Sequence, residues 1–288
     1  MSVNPLRSWL FVPGDSPRKF DRAMAGAADA LILDLEDSVS PSEKPAARGH
    51  VRTMLAAPPA GKALWVRINP LDTECALDDL AAVVGSKPAG IVLPKTRSGD
   101  DVRKLALYLD ALEAAAGLAR GRIGILAIVT ELGEAMFGLG SYAGASARLM
   151  GLTWGAEDLA ADLGTLTNRI DGAYTEPFRL ARSLCLYAAA AAGVRAIDTV
   201  CVDLDNLDVV TRESHDARRD GFTGKAAIHP KHVEPINAAF SPAADEIAFA
   251  ERIVAAFEHN PAAGAFRLDG KMIDRPHLRA ARRLLGRQ

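Results

Sequence analysis

The sequence predicts an α/β protein, a single closed (β/α)8 barrel with a C-terminal helical extension. Three observations carry this. Eight short apolar runs recur along the chain: Ser8–Pro13, Ala30–Asp34, Leu64–Asn69, Gly90–Lys95, Gly124–Glu131, Arg148–Gly155, Ala196–Asp203 and Gly224–Pro230. Helix-like stretches separate most of them, and such an alternation is the signature of a closed parallel barrel. The runs also end on reactive residues, in Asp34-Leu-Glu-Asp37, Arg67-Ile-Asn69, Lys95, Glu131 and Gly155-Ala-Glu-Asp158. Barrels of this kind carry their chemistry at the carboxyl ends of the strands. Carboxylates with two cations there predict a metal-assisted enzyme acting on an anionic substrate.

Ser8–Pro13 reads as the first strand, and Gly14-Asp15-Ser16-Pro17 turns the chain. Ser16 is the expected N-cap, with Pro17 at the first helical position. Arg18, Lys19 and Arg22 then stand near a helix start, where the helix dipole favours anions; a bound polyanion would resolve the conflict. Ala30–Asp34 is apolar on both faces, as a parallel strand covered by helices should be. A helix is expected from Ser42 to Ala57, stopped by Pro58-Pro59-Ala-Gly61, and Pro70 ends the third strand. Helices follow at Ala76–Val84 and Asp100–Ala116, the second with apolar residues at 102, 105, 109 and 112. Thr175–Gly193 has a Thr start, an early Pro177, an alanine-rich body and a terminal Gly. Leu207–Asp220 is the next helix, and the barrel should close near residue 240. The predicted division is therefore 1–240 for the barrel and 241–288 for an arm. The arm holds a helix from Ser241 to about Glu258, a flexible link at Pro261-Ala-Ala-Gly264 and a final helix over Asp274–Leu285.

A length of 288 residues suits one α/β barrel. The formal net charge of −2 supplies no bulk pull toward nucleic acid or an anionic membrane. No apolar stretch reaches the roughly 20 residues a membrane span needs. The amino terminus lacks the pattern of a secretory signal. Cys75, Cys185 and Cys201 are scattered, without metal-ligand spacing, which suggests a reducing cytoplasm.

Glu131 and Asp158 are expected at the ends of strands five and six, and neighbouring strands lie about 4.8 Å apart. Two carboxylates that close repel unless something positive lies between them. A hard cation such as Mg²⁺ fits the ligand supply; pairing with arginines or helix capping is the alternative. Asp34, Glu36 and Asp37 need cationic partners or hydrogen bonds. One of them could act as base or hold a metal-bound water, or each could be a cap or a solvated charge. Arg67 in a barrel mouth suits an enolate or carboxylate oxygen, because its fork donates two parallel hydrogen bonds. It could equally pair with the acids of strand two, and both could hold together. His229 could be a base or could shape the rim. There is no phosphate loop, nucleophile elbow or zinc spacing, and Gly138-Leu-Gly140 is too short for a dinucleotide fingerprint.

Taken together, Ser8-Trp-Leu-Phe-Val-Pro-Gly14, Leu33-Asp-Leu-Glu-Asp-Ser-Val39, Val66-Arg-Ile-Asn69, Leu93-Pro-Lys95, Thr130-Glu131, Gly155-Ala-Glu-Asp-Leu159, Gly221-Phe-Thr-Gly-Lys225, Ile228-His-Pro230 and Met272-Ile-Asp274 run in order over nearly the whole chain. This ordered set resembles the citrate lyase β-subunit-like, CoA-ester lyase family, relatives of malyl-CoA and citramalyl-CoA lyases in the HpcH/HpaI aldolase superfamily. The resemblance implies a TIM barrel, with Mg²⁺ held at Glu131 and Asp158. It implies Arg67 on the reacting acyl group, Phe11, Arg18 and Arg22 on the CoA thioester, and Glu36 and Asp37 orienting water and metal. It further implies a trimer or pair of trimers, whose arm brings Asp274 to a neighbouring subunit's site. From the sequence alone Asp274 reads as a helix N-cap. The implied reaction is reversible carbon–carbon cleavage of a 3-hydroxyacyl-CoA into an acyl-CoA and a 2-keto acid. The rivals are thioester hydrolysis, aldol cleavage of free 2-keto acids, an acyl-carrier-protein-dependent citrate lyase subunit and a non-catalytic subunit. Two positions depart from the relatives: Leu132-Gly133-Glu134-Ala135 beside Glu131, and Phe11 where some relatives have Tyr.

Overall fold

The computed structural model describes residues 6–57, 61–261 and 264–287. The predicted stop at 58–60 and the centre of the link at 261–264 lie outside the described residues. The chain divides into two compact units, Leu6–Phe240 and a second from Ser241 onward.

The first unit is a closed barrel of eight parallel strands. In chain order these are β1 (Ser8–Pro13), β2 (Ala30–Asp34), β3 (Ala63–Arg67), β4 (Gly90–Leu93), β5 (Gly124–Ile128) and β6 (Leu149–Thr153). A short hairpin, β7 (Arg169–Ile170) with β8 (Ala173–Tyr174), intervenes before β9 (Arg195–Asp198) and β10 (Gly224–Ala227). β10 pairs with β1 and closes the ring. The helices are α1 (Pro17–Ala25), α2 (Lys44–Ala56), α3 (Cys75–Val83), α4 (Gly99–Ala115), α5 (Ala156–Leu163), α6 (Glu176–Ala192), α7 (Leu207–Asp220) and α8 (Val233–Phe240). α6 matches its end signals: Thr175 stands at the N-cap and Gly193 takes the left-handed C-cap at φ 67°. Two expectations change. The seventh barrel strand ends at Asp198 instead of Asp203. Between β5 and β6 the chain makes short 3₁₀ turns, Gly133–Phe137 and Leu139–Tyr142.

Strand alternation sorts the apolar residues into two layers. Leu10, Val12, Leu31, Leu33, Val66, Ile91 and Leu93 face outward into the core shared with the helices. Trp9, Ile32, Trp65, Val92, Leu126, Ile128 and Ile197 fill the barrel interior. Trp9 and Trp65 meet edge to face at 5.1 Å. Trp65 fits because Gly90 has no side chain, since a Cβ there would lie 2.1 Å from the indole. The two indoles plug the lower barrel, below the carboxyl ends of the strands.

The second unit holds α9 (Ala244–His259), a hairpin of β11 (Ala265–Leu268) and β12 (Lys271–Asp274), and α10 (Arg275–Leu284). Ile253, Val254, Phe257, Ile273 and Leu278 form its own core. Both hairpins turn on Asp-Gly, at Asp171-Gly172 and Asp269-Gly270, with all four residues at positive φ. That is the favoured two-residue hairpin connection. Among the described residues no helix is long and apolar enough to cross a membrane.

Candidate active site

A cavity of about 380 Å³ opens at the carboxyl end of the barrel strands. Trp9, Ile32, Val92, Leu126 and Ile197 line its apolar depth, and Asp34, Asp37, Arg67, Glu131, Glu157 and Asp158 line its charged rim. This is the expected form of a small-molecule site, an apolar well with a few convergent polar groups.

Arg67 ends β3 beside Asp34, its register partner on β2. Its guanidinium grips Asp34 as a fork, Nε to Oδ1 at 2.7 Å and Nη2 to Oδ2 at 2.8 Å. Nη1 lies 2.8 Å from Glu36 Oε2 and 3.8 Å from Asp37 Oδ2. The guanidinium carbon also sits 4.9 Å from the centre of the Phe11 ring. Both sequence readings of Arg67 hold: it is paired with the acids of β2, and it lines the cavity. Burial pushes the Asp34 carboxyl up, but the charge and hydrogen bonds of Arg67 more than offset this and hold it below the usual range. Asp34 also accepts from the backbone N–H groups of Glu36 and Ser38, so it is the anchor that fixes Arg67 and the following loop. Lys44 and Asn69 fasten the same loop: Lys44 Nζ donates to Leu35 O at 2.9 Å and Glu36 O at 3.0 Å, and Asn69 Nδ2 donates to Leu35 O at 2.9 Å.

Glu131 follows β5, and its carboxylate accepts the backbone N–H of Lys95. Asp158 is not at the end of β6 as expected. It lies five residues beyond Thr153, in the first turn of α5, where the helix dipole favours a carboxylate. Gly155 makes this approach possible, because a Cβ there would stand 2.7 Å from Glu131 Cγ. Both acids line the same cavity. Burial, followed by the charges of Asp158 and Glu36, pushes the Glu131 carboxyl well above its ordinary range. Burial likewise holds Glu36 high against the pull of Arg67 and Lys95. A hard divalent cation fits this set, since it is what would let the crowded acids ionise together. Among the described residues no group of three or more His, Cys, Asp or Glu has metal-ligand geometry. Mg²⁺ is commonly held by one or two carboxylates, with water and substrate oxygens completing the shell.

Lys95 has the largest part in this geometry that the sequence left without a role. Its ammonium lies 2.6 Å from Glu36 Oε1, 3.0 Å from Asp158 Oδ1 and 3.5 Å from Asp37 Oδ2. Burial alone would lower its pKa; Glu36, Glu131 and Asp158 together raise it. The Pro-Lys pair at a strand end was the available signal.

Behind the rim lies a buried ionic network. Lys225, 1% exposed, donates to Asp198 Oδ2 at 2.9 Å and to the Thr199 carbonyl at 2.7 Å. Trp154 Nε1 donates to Asp198 Oδ1 at 2.8 Å, and Arg182 Nε reaches the same oxygen at 3.2 Å. Thr199 and Trp154 line the cavity, so the network ties the ends of β6, β9 and β10 together.

Other expected residues stand elsewhere. Arg18 and Arg22 are exposed on α1, outside the residues that line the cavity. His229 does not line it either; its Nδ1 accepts the Lys231 N–H at 3.2 Å and caps a short 3₁₀ turn. In the second unit Asp274 occupies the N-cap position of α10, 2.5 Å from His277 Nδ1. The hydrogen bond with His277 holds its carboxyl below the usual range.

Residues 7–230 match the HpcH/HpaI aldolase/citrate lyase family. The chain belongs to that family. The family is described by aldolase and citrate lyase activities, and this chain is an enzyme of that general lyase kind. A citrate lyase subunit beta-like protein of Mycobacterium tuberculosis is 36% identical over 280 residues, covering 97% of this chain and 94% of its own. A (3S)-malyl-CoA thioesterase of Cereibacter sphaeroides is 36% identical over 292 residues, with 99% and 95% covered. The crystal structure of CitE from Mycobacterium tuberculosis in complex with magnesium, acetoacetate and coenzyme A superposes with a TM-score of 0.80. That chain is 34% identical, with 99% of this chain and 98% of that one covered.

Proposed function

We propose that this family member is a Mg²⁺-dependent lyase that reversibly cleaves a 3-hydroxyacyl-CoA of malyl, citramalyl or citryl type into an acyl-CoA and a 2-keto acid. The observation that supports it most is the sharing of one cavity by a forked, anchored Arg67 and the crowded pair Glu131 and Asp158. Magnesium is bound in the CitE structure, and Glu131 and Asp158 would hold it here. Bound there, it would supply Lewis-acid polarisation of the substrate's carboxylate and hydroxyl oxygens.

In the cleavage direction the hydroxyl would give its proton to a water oriented by Glu36 and Asp37, and its oxygen would become that of the keto carbonyl. The electron pair of the broken carbon–carbon bond stays with the thioester as an enolate. Arg67 would meet the enolate oxygen with donors already fixed by Asp34, and a single preorganised donor of this kind contributes about 3–4 kcal/mol. Asp274, from the arm of a neighbouring subunit in a trimer or pair of trimers, would exchange the proton at the enolate carbon, relaying it from solvent. Glu36 and Asp37 would orient Arg67, Lys95 and water. Phe11, Arg18 and Arg22 would contact the CoA portion; the two arginines are solvent-facing, which suits a polyphosphate. The cytoplasm is the expected compartment.

A relative named as a thioesterase favours hydrolysis as the second reading. Incubation with Mg²⁺ and a panel of malyl-, citramalyl-, methylmalyl- and citryl-CoA, with products read by mass, tests both. An acyl-CoA with a 2-keto acid supports the lyase. Free CoA with an intact hydroxy acid supports the hydrolase, and no turnover of any member refutes both.

A further inference from the structure

Lys95 touches the acid cluster by two separate handles. Its backbone N–H donates to Glu131, while its ammonium spans Glu36 at 2.6 Å and Asp158 at 3.0 Å. A lysine ammonium has three protons to donate, and three carboxylates lie within 3.5 Å of it, Asp37 the most distant. The double grip depends on an unusual backbone. Lys95 has φ 50°, in the left-handed region that strains a side-chain-bearing residue. The next residue holds it there. Thr96 Oγ1 donates to Ile128 O at 2.7 Å and accepts from the buried Tyr142 hydroxyl, also at 2.7 Å.

The two cations of the cluster differ in freedom. Arg67 is locked in the fork to Asp34 and is 12% exposed at its side chain. Lys95 has a flexible four-carbon stem and is 26% exposed. An ion coordinated by Asp158 is repelled by the ammonium that lies 3.0 Å from its Oδ1, and Lys95 is the partner able to yield.

We infer that Lys95 is a tethered cation that competes with the divalent ion for Asp158. It keeps the acid cradle assembled before the ion arrives, and it turns its ammonium toward the cavity, still held by Glu36, when the ion binds. This rests on the metal-dependent reading proposed above. The released ammonium then faces an anionic substrate group, so ion binding prepares a second cationic contact beside Arg67.

The probe is Mn²⁺, titrated by electron paramagnetic resonance into the wild type and into Lys95→Met, Lys95→Arg, Lys62→Met and Asp158→Asn. Lys95→Met is expected to bind Mn²⁺ at least tenfold more tightly and to melt at a lower temperature without the ion. Lys95→Arg should remain within about threefold of wild type. Lys62→Met should be unchanged, because Lys62 donates to Gly26 O and Ala28 O at the start of β3. A measurement on the unaltered chain covers the case in which Lys95→Met fails to fold. Acylation of Lys95 by a succinimidyl ester, mapped by mass spectrometry, should quicken at least threefold on Mn²⁺ saturation while Lys62 labelling stays constant. Wild-type binding that Asp158→Asn abolishes, with unchanged or weaker affinity in Lys95→Met or unchanged labelling, overturns the competition alone. Binding in Lys95→Met but not in wild type supports it. Absence of Mn²⁺ binding in every variant overturns both this inference and the metal-dependent reading.

Discussion

Gly155→Ala isolates the contact on which the acid pair depends. Gly155 has φ −120°, which any residue adopts, so the substitution adds no backbone strain. The new methyl carbon would stand 2.7 Å from Glu131 Cγ and 3.4 Å from its Cδ and Oε1. Carbon atoms rest at about 3.5–4.0 Å, so Glu131 must retreat by roughly 1 Å. It cannot retreat freely, because its carboxylate is held by the Lys95 N–H. Overpacking of this kind costs about 1–3 kcal/mol of stability, which leaves an ordinary domain folded. A displacement of about 1 Å at a catalytic group costs on the order of 10²-fold in rate. The expected result is a chain that melts cooperatively a few degrees lower, with weakened Mn²⁺ binding and turnover reduced about a hundredfold. The assays are thermal unfolding, Mn²⁺ titration and mass-resolved cleavage of the CoA-ester panel. Wild-type turnover and Mn²⁺ affinity in folded Gly155→Ala would refute the placement of Glu131 against Gly155 as a functional contact.

Arg67→Lys keeps the charge but loses the fork to Asp34; kcat/KM should fall at least about 10²-fold while the fold survives, and near-normal turnover would remove Arg67 from the chemistry. Asp274→Ala should leave Mn²⁺ affinity unchanged, lower the melting temperature slightly through loss of the α10 N-cap, and cut turnover, and Asp274→Asn should cut turnover with a smaller loss of melting temperature; undiminished turnover would exclude Asp274 from the proton exchange. Asp198→Asn should cost about 3 kcal/mol, because it leaves the buried Lys225 ammonium to the more distant Glu213 carboxylate at 3.4 Å. Burial pushes Asp198 up, but Lys225 and Arg182 outweigh burial and hold its folded pKa below the unfolded value of about 3.9. Its contribution is therefore complete above about pH 4 and lost as pH falls through the lower folded value. Urea midpoints between pH 2 and 7 should show a shallower acid limb in Asp198→Asn, and a limb parallel to wild type would contradict the assignment.

The barrel was legible because its strands are apolar on both faces, a pattern that only a sheet buried on both sides explains. Arg67, Glu131 and Asp158 were legible as charges at the ends of such runs. What escaped depends on backbone geometry that composition does not encode. Asp158 was read onto a strand end because Thr153 to Asp158 looks continuous, whereas Gly155 breaks the strand and lets α5 begin. Lys95 owes its position to a positive φ that no residue pattern announces, since lysine seldom adopts it. The seventh barrel strand was drawn too long because Thr199-Val200-Cys201-Val202 is β-prone, yet its backbone leaves the ladder after Asp198, and the Thr199 carbonyl goes to Lys225 instead. The two hairpins carry a local signal in the sequence, because each turns on Asp-Gly.

The paired indoles of Trp9 and Trp65 stopper the barrel at its amino end, with only about 40 Å³ of space beneath them. Reactants and products must therefore share one doorway. A fragment seated deep against the tryptophans cannot depart past one still lodged at the rim, so release is ordered, outer piece before inner. The inner piece, last to leave, should compete with fresh substrate for the empty enzyme, and the outer one should inhibit without competing.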